Sequence, residues 1–529
     1  MTFLLALTPI LLILILMVGL RWSASRAGAA GYLCALLLAA TYFGGGLEPM
    51  AIAHMKAILL AIDVLWIIWA AFLLYRIVDE AGAIRTIGQA LPRLTPDIGM
   101  QALIIGWIFA SFLQGVGGFG VPVAVVSPIL IGLGFSPITA VIVPSIGHGW
   151  AVTFGSMGSS FTALLAATGQ PEKLLIPPAA TFLGISCVFV GWMVAHSAGG
   201  WVAFKRLWLV VALLGIVMGS VQFLVTNRGF WNIGAFIASL VGLIIVFPLS
   251  HWMNKKVRNS KTSNHEYKQA SSDGMNQSEN QISKSNLLIA LSGYGILILV
   301  ILCVQLVPEI KHFLGQVVIK MKLPEVTTSS GLITPSEEGR KLNLFGHTGM
   351  LLLYASILSY LFYRCVGWIK PEAARRILSG TVSRVMPSSV SIASMLTMAV
   401  IMEYSGMTDA LAQGLATGMG RLFPLASPWI GAIGAFMTGS NTNSNVVFGA
   451  LQMQTAQLLG YAVPIILAGQ TAGAALASIM APTKIVVGAS TAGMAGKEGE
   501  IMRKLAIYTT LLVVLISLLT LIGTIYNQY

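Results

Sequence analysis

Charge is what this chain has least of. Aspartate, glutamate, lysine and arginine together make up 9% of its 529 residues, against roughly 25% in an average soluble domain. So few charges cannot clothe a water-exposed surface, which excludes an ordinary soluble protein. Cysteine is scarce as well. Cys34, Cys187, Cys303 and Cys365 lie far apart, in or near apolar segments, and read as small core residues with no metal-ligand spacing. Also missing are a nucleotide-binding P-loop, an HExxH helix and a GxSxG elbow. Their absence argues against a primary pump and against the commonest enzyme motifs. No enzyme activity, cofactor or metal site is expected.

Apolar residues, in contrast, make up 56% of the chain, and glycine occurs 56 times. Several apolar stretches exceed the roughly 20 residues that a helix needs to span a bilayer. Small residues suit such helices because they let backbones approach closely. The first stretch, 2–20, lacks a basic leader and a small-residue cleavage site, so it is expected to be a retained helix. A net charge of +13 would suggest a nucleic-acid partner in a soluble protein. Here the basic residues gather in loops beside apolar segments, which is the positive-inside pattern. The expected partner is the lipid bilayer, with no nucleic acid.

Residues 251–285 are polar, rich in Ser, Asn and Lys, and without periodicity. They read as a cytoplasmic linker between an N-terminal membrane half (1–250) and a C-terminal one (286–529). A second polar stretch, 307–345, follows one helix later. Arg21 and Arg26, then Arg76, Arg85 and Arg93, then Lys205 and Arg206 all fall inside if the N-terminus is external. The same alternation puts 307–345 outside, Arg364 to Arg384 and Lys497 to Lys504 inside, and the C-terminus outside. The expected location is the cell inner membrane, as a multi-pass protein.

Two breaks interrupt the apolar pattern in matching places. Phe112-Leu-Gln-Gly-Val-Gly-Gly-Phe-Gly-Val-Pro122 superposes on Phe436-Met-Thr-Gly-Ser-Asn-Thr-Asn-Ser-Asn445, which aligns Gly115 with Gly439. Each is followed by a similar opening, Leu133 to Pro137 and Leu459 to Pro464, and by a further break near His148 and near Pro482. The segment before the first break is followed by three arginines. Its counterpart has only Arg421, so the charge rule places equivalent segments on opposite sides. The expected fold is an all-α polytopic membrane protein. Two inverted-topology repeats would bring broken helices or re-entrant hairpins together at mid-membrane, in about 12–14 membrane segments.

Unwound backbone inside a bilayer is tolerated only where protein or a water-filled cavity satisfies it. Gly115, Gly117, Gly118 and Gly120 would let the backbone turn and approach a ligand, although such a run can also be plain helix packing. Ser440, Asn441, Thr442, Asn443, Ser444 and Asn445 supply polar side chains and N-cap oxygens on a segment expected to be unwound. Two half-helix N-termini carrying free N–H groups make a site for an anion. Lys484 could be a counter-charge to a bound carboxylate, or could snorkel to an interface. Asp63 and His148 are candidates for proton coupling. Asp63 stands two helical turns from Lys56, so a stretched structural pair is its other reading, and helix packing is that of His148. Glu403, at a helix end, is expected at the surface.

FLQGVGGFGVPVAV (112–125), LIGLGFSP (130–137), GSNTNSNVVFGALQ (439–452) and AGMAGKEGE (492–500) resemble the lactate permease family of bacterial monocarboxylate–proton symporters. The resemblance runs through both halves in the expected order. It implies proton-driven import of lactate, often also glycolate, by alternating access. Typical members carry Glu at position 114, Asp at 441 and an uncharged polar residue at 484, where this chain has Gln114, Asn441 and Lys484. The site is therefore more positive than the family pattern. The alternative reading is a sodium-coupled carrier of a dicarboxylate or sulfonated small acid, with the Asn, Ser and Thr oxygens holding the ion. A passive anion channel is the remaining rival.

Overall fold

The computed structural model describes residues 2–118, 120–259, 284–338 and 341–526. Most of the linker 251–285 therefore lies outside the described residues. The chain is overwhelmingly helical, as expected where every backbone polar group must find a partner within its own segment. Among the described residues, nine helices are long and apolar enough to cross a membrane, or up to ten if a bent pair counts as one span.

The N-terminal half opens with α1 (Thr2–Leu14), α2 (Ala24–Thr41) and α3 (Leu47–Glu80), then the short α4 (Ala83–Ala90). The helical run α5 (Ile98–Val116) breaks at glycines and resumes as α6 (Val121–Gly132). Two further helices, α7 (Pro137–Gly147) and α8 (Ser159–Thr168), meet at a bend. The long α9 (Glu172–Val225) follows, and then α10 (Gly234–Asn259). Helix α9 reverses at Gly199 and Gly200, whose backbone is not helical. Its two arms lie so close that a β-carbon on Gly215 would come within 2.8 Å of the Val188 Cα. Glycine on the facing arms is what permits that approach.

The C-terminal half begins with α11 (Lys284–Leu306) and the short α12 (Pro308–Leu314). After the polar stretch come α13 (Thr348–Cys365), α14 (Ala373–Tyr404) and the short α15 (Met407–Met419). A hairpin of α16 (Phe423–Thr438) and α17 (Asn441–Leu458), a broken pair α18 (Val463–Ala477) and α19 (Pro482–Thr491), and α20 (Glu498–Tyr526) complete the fold. The element order of this half, from α14 onward, repeats that of the first half from α3: long helix, short helix, hairpin, broken pair, long helix.

Small residues set one of the contacts between the two halves. Ala27, Gly31, Ala35 and Ala39 recur every four residues on the buried face of α2, which packs on α14. There the Met395 and Met398 side chains fill the space over Gly28 and Gly31.

The polar stretch 307–345 is the departure from an all-helical plan. It folds back on itself as an arm of paired two-residue strands: β1 (Val318–Ile319) with β6 (Leu342–Asn343), β2 (Lys322–Leu323) with β5 (Glu337–Glu338), and β3 (Val326–Thr327) with β4 (Ile333–Thr334). The arm reaches across to the α2–α3 connection. There Ser329 N and Oγ both donate to the Gly44 carbonyl at 2.8 Å, and Ser330 Oγ donates to that of Phe43 at 3.0 Å. Its Glu337 pairs with Lys56 at 2.7 Å, and Lys56 also reaches Glu403 at 3.3 Å. Glu403 is thus a partner of Lys56 rather than a free surface carboxylate. Lys56 is engaged here and not with Asp63.

Candidate functional site

Both expected breaks are present, and both form hairpin tips. In the first, Phe109 and Ile129, on either side of the break, lie against the same residue, Gly88, so α6 runs back alongside α5. Gly118 and Gly120 at the tip have φ of 57° and 85°, values that residues with a β-carbon rarely adopt. A β-carbon on Gly118 would also overlap Ser156 Oγ. Gly115 and Gly117 are packing positions instead, against the Phe236 backbone and the Tyr75 ring.

In the second hairpin, Ser444 Oγ donates to the Gly431 carbonyl at 2.7 Å and Gln452 Nε2 to that of Ser427 at 2.9 Å, so α16 and α17 run antiparallel. The turn is shorter than the sequence suggests. Gly439 (φ 73°) and Ser440 alone leave the helix, and Asn441 already begins α17. Ser440 is the N-cap, its Oγ accepting from the Asn443 amide at 3.3 Å. The expectation of six unwound residues is corrected accordingly: one capping serine suffices to start the helix.

Each hairpin tip rests on the break between two successive helices. Helices α7 and α8 bend by 41° through a link in which Ser156 and Met157 have positive φ. This link meets Gly118, and Gln114 Nε2 donates to Ser156 Oγ at 3.4 Å. Helices α18 and α19 are joined by Ser478–Met480 and the extended Ala481. The second tip meets the end of that link and the start of α19, since a β-carbon on Gly439 would overlap Thr483 Oγ1 and touch Ala481.

A polar network then crosses between the halves. Asn441 Nδ2 donates to Thr153 Oγ1 at 3.1 Å. Asn445 Nδ2 donates to the Ser160 carbonyl and to Thr471 Oγ1, both at 2.9 Å. Thr442 and Ser160 share a hydroxyl bond at 3.0 Å. Ser444 is also reached by Gln470 Nε2, at 3.1 Å. The Oδ1 atoms of Asn441, Asn443 and Asn445 are buried without a partner. A buried acceptor left unpaired costs about 1–3 kcal/mol, so these oxygens are places for water or a ligand.

Above this network opens a cavity of about 350 Å³. Of the residues expected at the site, Ser440, Asn443 and Lys484 line it. Asn443 Nδ2 donates to Ser391 Oγ at 2.9 Å, and Lys484 Nζ donates to Ser478 Oγ at 3.0 Å. Among the described lining residues none is acidic, and Arg384 adds a second cation. Asn441, Thr442, Ser444 and Asn445 stand behind the wall, in the network. The glycine hairpin approaches the cavity through Gly120, where an added β-carbon would lie 4.0 Å from Lys484 Cγ.

The two coupling candidates part company. His148 caps α7 and is fully buried, its Nδ1 2.6 Å from the Pro144 carbonyl oxygen. Asp63 is paired with His347 at 2.7 Å and does not line the cavity. Sequence reasoning missed Arg384, Ser388 and Ser391, which line the same wall. Their i, i+4, i+7 spacing marks one face of α14 and was a legible signal.

Residues 2–526 match the model of the L-lactate permease family. The chain belongs to that family. It is 29% identical over 451 residues to the L-lactate permease of Escherichia coli K12, covering 83% of this chain and 80% of that one. It is 27% identical over 538 residues to glycolate permease GlcA of the same strain, covering 98% and 95%. The Bacillus subtilis L-lactate permease is 26% identical over 536 residues, covering 97% and 94%. Among solved structures, the Alcanivorax borkumensis YdaH transporter is similar with a TM-score of 0.47 at 13% identity, over 87% of this chain and 85% of that one. As a member of a permease family, the chain is a multi-pass carboxylate transporter and not an enzyme.

Proposed function

We propose that this permease imports a small 2-hydroxy monocarboxylate, lactate or glycolate, across the cell inner membrane by proton symport and alternating access. The observation that carries the reading is Lys484 on the wall of a cavity that offers hydroxyl and amide groups and, among its described lining residues, no carboxylate. An ammonium in that setting costs at least about 2.5–3.5 kcal/mol on insertion scales, and an arriving carboxylate offsets the cost. Ser440, Asn443 and Thr483 then orient the substrate through hydrogen bonds, while Gly118 and Gly120 let the other hairpin close over it. The names of the relatives, lactate and glycolate permeases, supply the substrate class.

We read residues 1–250 and 286–529 as inverted repeats joined by a cytoplasmic linker, with both termini external. The repeated element order and the placement of basic residues support this. Of the two coupling candidates only His148 stands near the cavity wall with an unpartnered ring nitrogen, because Asp63 is already engaged by His347.

Binding of purified protein to a panel of 2-hydroxy monocarboxylates, dicarboxylates and sulfonated acids tests the substrate class. Preference for lactate and glycolate is expected. Tighter binding of dianions would overturn the monocarboxylate reading.

A further inference from the structure

Lys484 enters the cavity from the first turn of α19 and is buried, with the Ser478 hydroxyl as its hydrogen-bond partner. The charged and titratable groups around it are few. Helix α6 packs on α19 and has no ionisable side chain. Helix α20 brings Glu498, Glu500, Arg503 and Lys504 in its first two turns, and Tyr508, whose hydroxyl is bonded to His196. Helix α14 brings Arg384 to the cavity wall. Helix α7 packs on α19, with Val141 against Gly488, and ends at His148, whose neighbour Gly149 lies against Ile479, next to Ser478.

The His148 ring has a defined state. Its Nδ1 faces the Pro144 carbonyl, an acceptor, and so carries the hydrogen; Nε2 is left as a buried lone pair without a partner. Two bases, one from each half of the chain, therefore stand near each other in a desolvated place. Two neighbouring buried positive charges repel, so the pair holds at most one proton, and burial disfavours even that one until an anion arrives. The amine is by its ordinary value the stronger base.

We propose that Lys484 carries the transported proton, with His148 positioned beside it to keep the pair at no more than one charge. The inference rests on the carboxylate-import reading. The free amine takes one proton as the carboxylate arrives, and the ammonium–carboxylate pair is neutral as a unit. On the cytoplasmic side the anion leaves, the N–H bond breaks and the proton follows it into solution. The coupling is reciprocal: a bound anion raises the proton affinity of the amine by the same factor that the proton raises anion affinity. This assigns the proton to a residue that also touches the substrate, and no separate acidic group is needed.

The test is proton uptake on anion binding, read with a pH indicator in weakly buffered solution at alkaline pH. Purified wild-type protein is titrated with lactate and with glycolate. About one proton per anion bound is expected if a single site couples them. Lys484→Arg keeps its charge at all accessible pH and should bind anion with no proton uptake. The ratio is the readout, so a change in affinity does not obscure it. Should the arginine variant fail to fold or bind, Lys484→Cys alkylated with 2-bromoethylamine places a less basic amine at the same position. Proton uptake should then shift to lower pH than in the wild type. Wild-type binding without proton uptake, uptake unchanged in Lys484→Arg, or an unshifted profile in the alkylated protein would each overturn the proposal and leave carboxylate import standing. Failure of the wild type to bind either anion would remove the import reading and the proposal with it.

Discussion

The His347 ring donates from Nε2 to the Asp63 carboxylate at 2.7 Å, tying the middle of α3 to the start of α13. The tautomer follows from the other nitrogen, because His347 Nδ1 accepts from the Gly349 amide at 3.1 Å and caps α13. Trp66 lies against the ring, 5.0 Å between centroids. Asp63→Asn keeps an acceptor for the ring N–H and is predicted to retain proton-driven uptake. Asp63→Leu leaves that N–H unpaired and should cost about 1–3 kcal/mol of stability, read as a lower unfolding temperature in detergent. Loss of proton coupling in a stable Asp63→Asn protein would instead place the transported proton at Asp63.

Gly118 and Gly120 both have positive φ, but only Gly118 faces an obstruction. Gly118→Ala is predicted to abolish uptake, because the new methyl group meets Ser156 at the bend of α7 and α8. Gly120→Ala has room, with Lys484 Cγ 4.0 Å away, and should lose less. Initial uptake rates at matched membrane expression compare them. Equal rates in both variants would show that the tip does not close on the bend.

Lys484→Gln removes the cation while keeping a hydrogen-bond donor. Losing one charge-assisted hydrogen bond, typically about 1.5–3 kcal/mol, corresponds to roughly a 10- to 150-fold weaker affinity. Calorimetric titration with lactate measures it. Unchanged affinity would make Lys484 a structural residue held by Ser478.

The proposed topology places Ser329, at the tip of the strand arm, outside and Ser271, in the linker, inside. Cysteine substitutions at both positions, labelled from each side of the membrane, should react from opposite sides. Reaction of the Ser271 substitution from outside alone would contradict the inverted arrangement of the two halves.

What could be read in advance was whatever depends on neighbours in the chain. Glycines that take positive φ, a serine that caps a helix and a lysine among apolar residues all announce themselves locally, and they located both hairpins and the Lys484 wall. Long-range partners did not. Asp63 finds His347 from 284 positions away, and Lys56 passes over Asp63 in its own helix to reach Glu337 and Glu403. The arm at 307–345 was read only as polar because strands of two residues are too short to show alternation. The length of the second turn was overread, since Asn, Ser and Thr serve equally well in an unwound loop and in a buried first helical turn whose side chains bond across to Thr153, Ser160 and Thr471.

Accumulation of labelled lactate by proteoliposomes under an imposed gradient tests proton-driven import most directly. With the outside acidic and sodium equal on both sides, lactate should accumulate above its external concentration, and collapse of the proton gradient should release it. A sodium gradient at equal pH should drive no accumulation. Accumulation under the sodium gradient alone, or fluxes that never exceed equilibration under either gradient, would contradict the account.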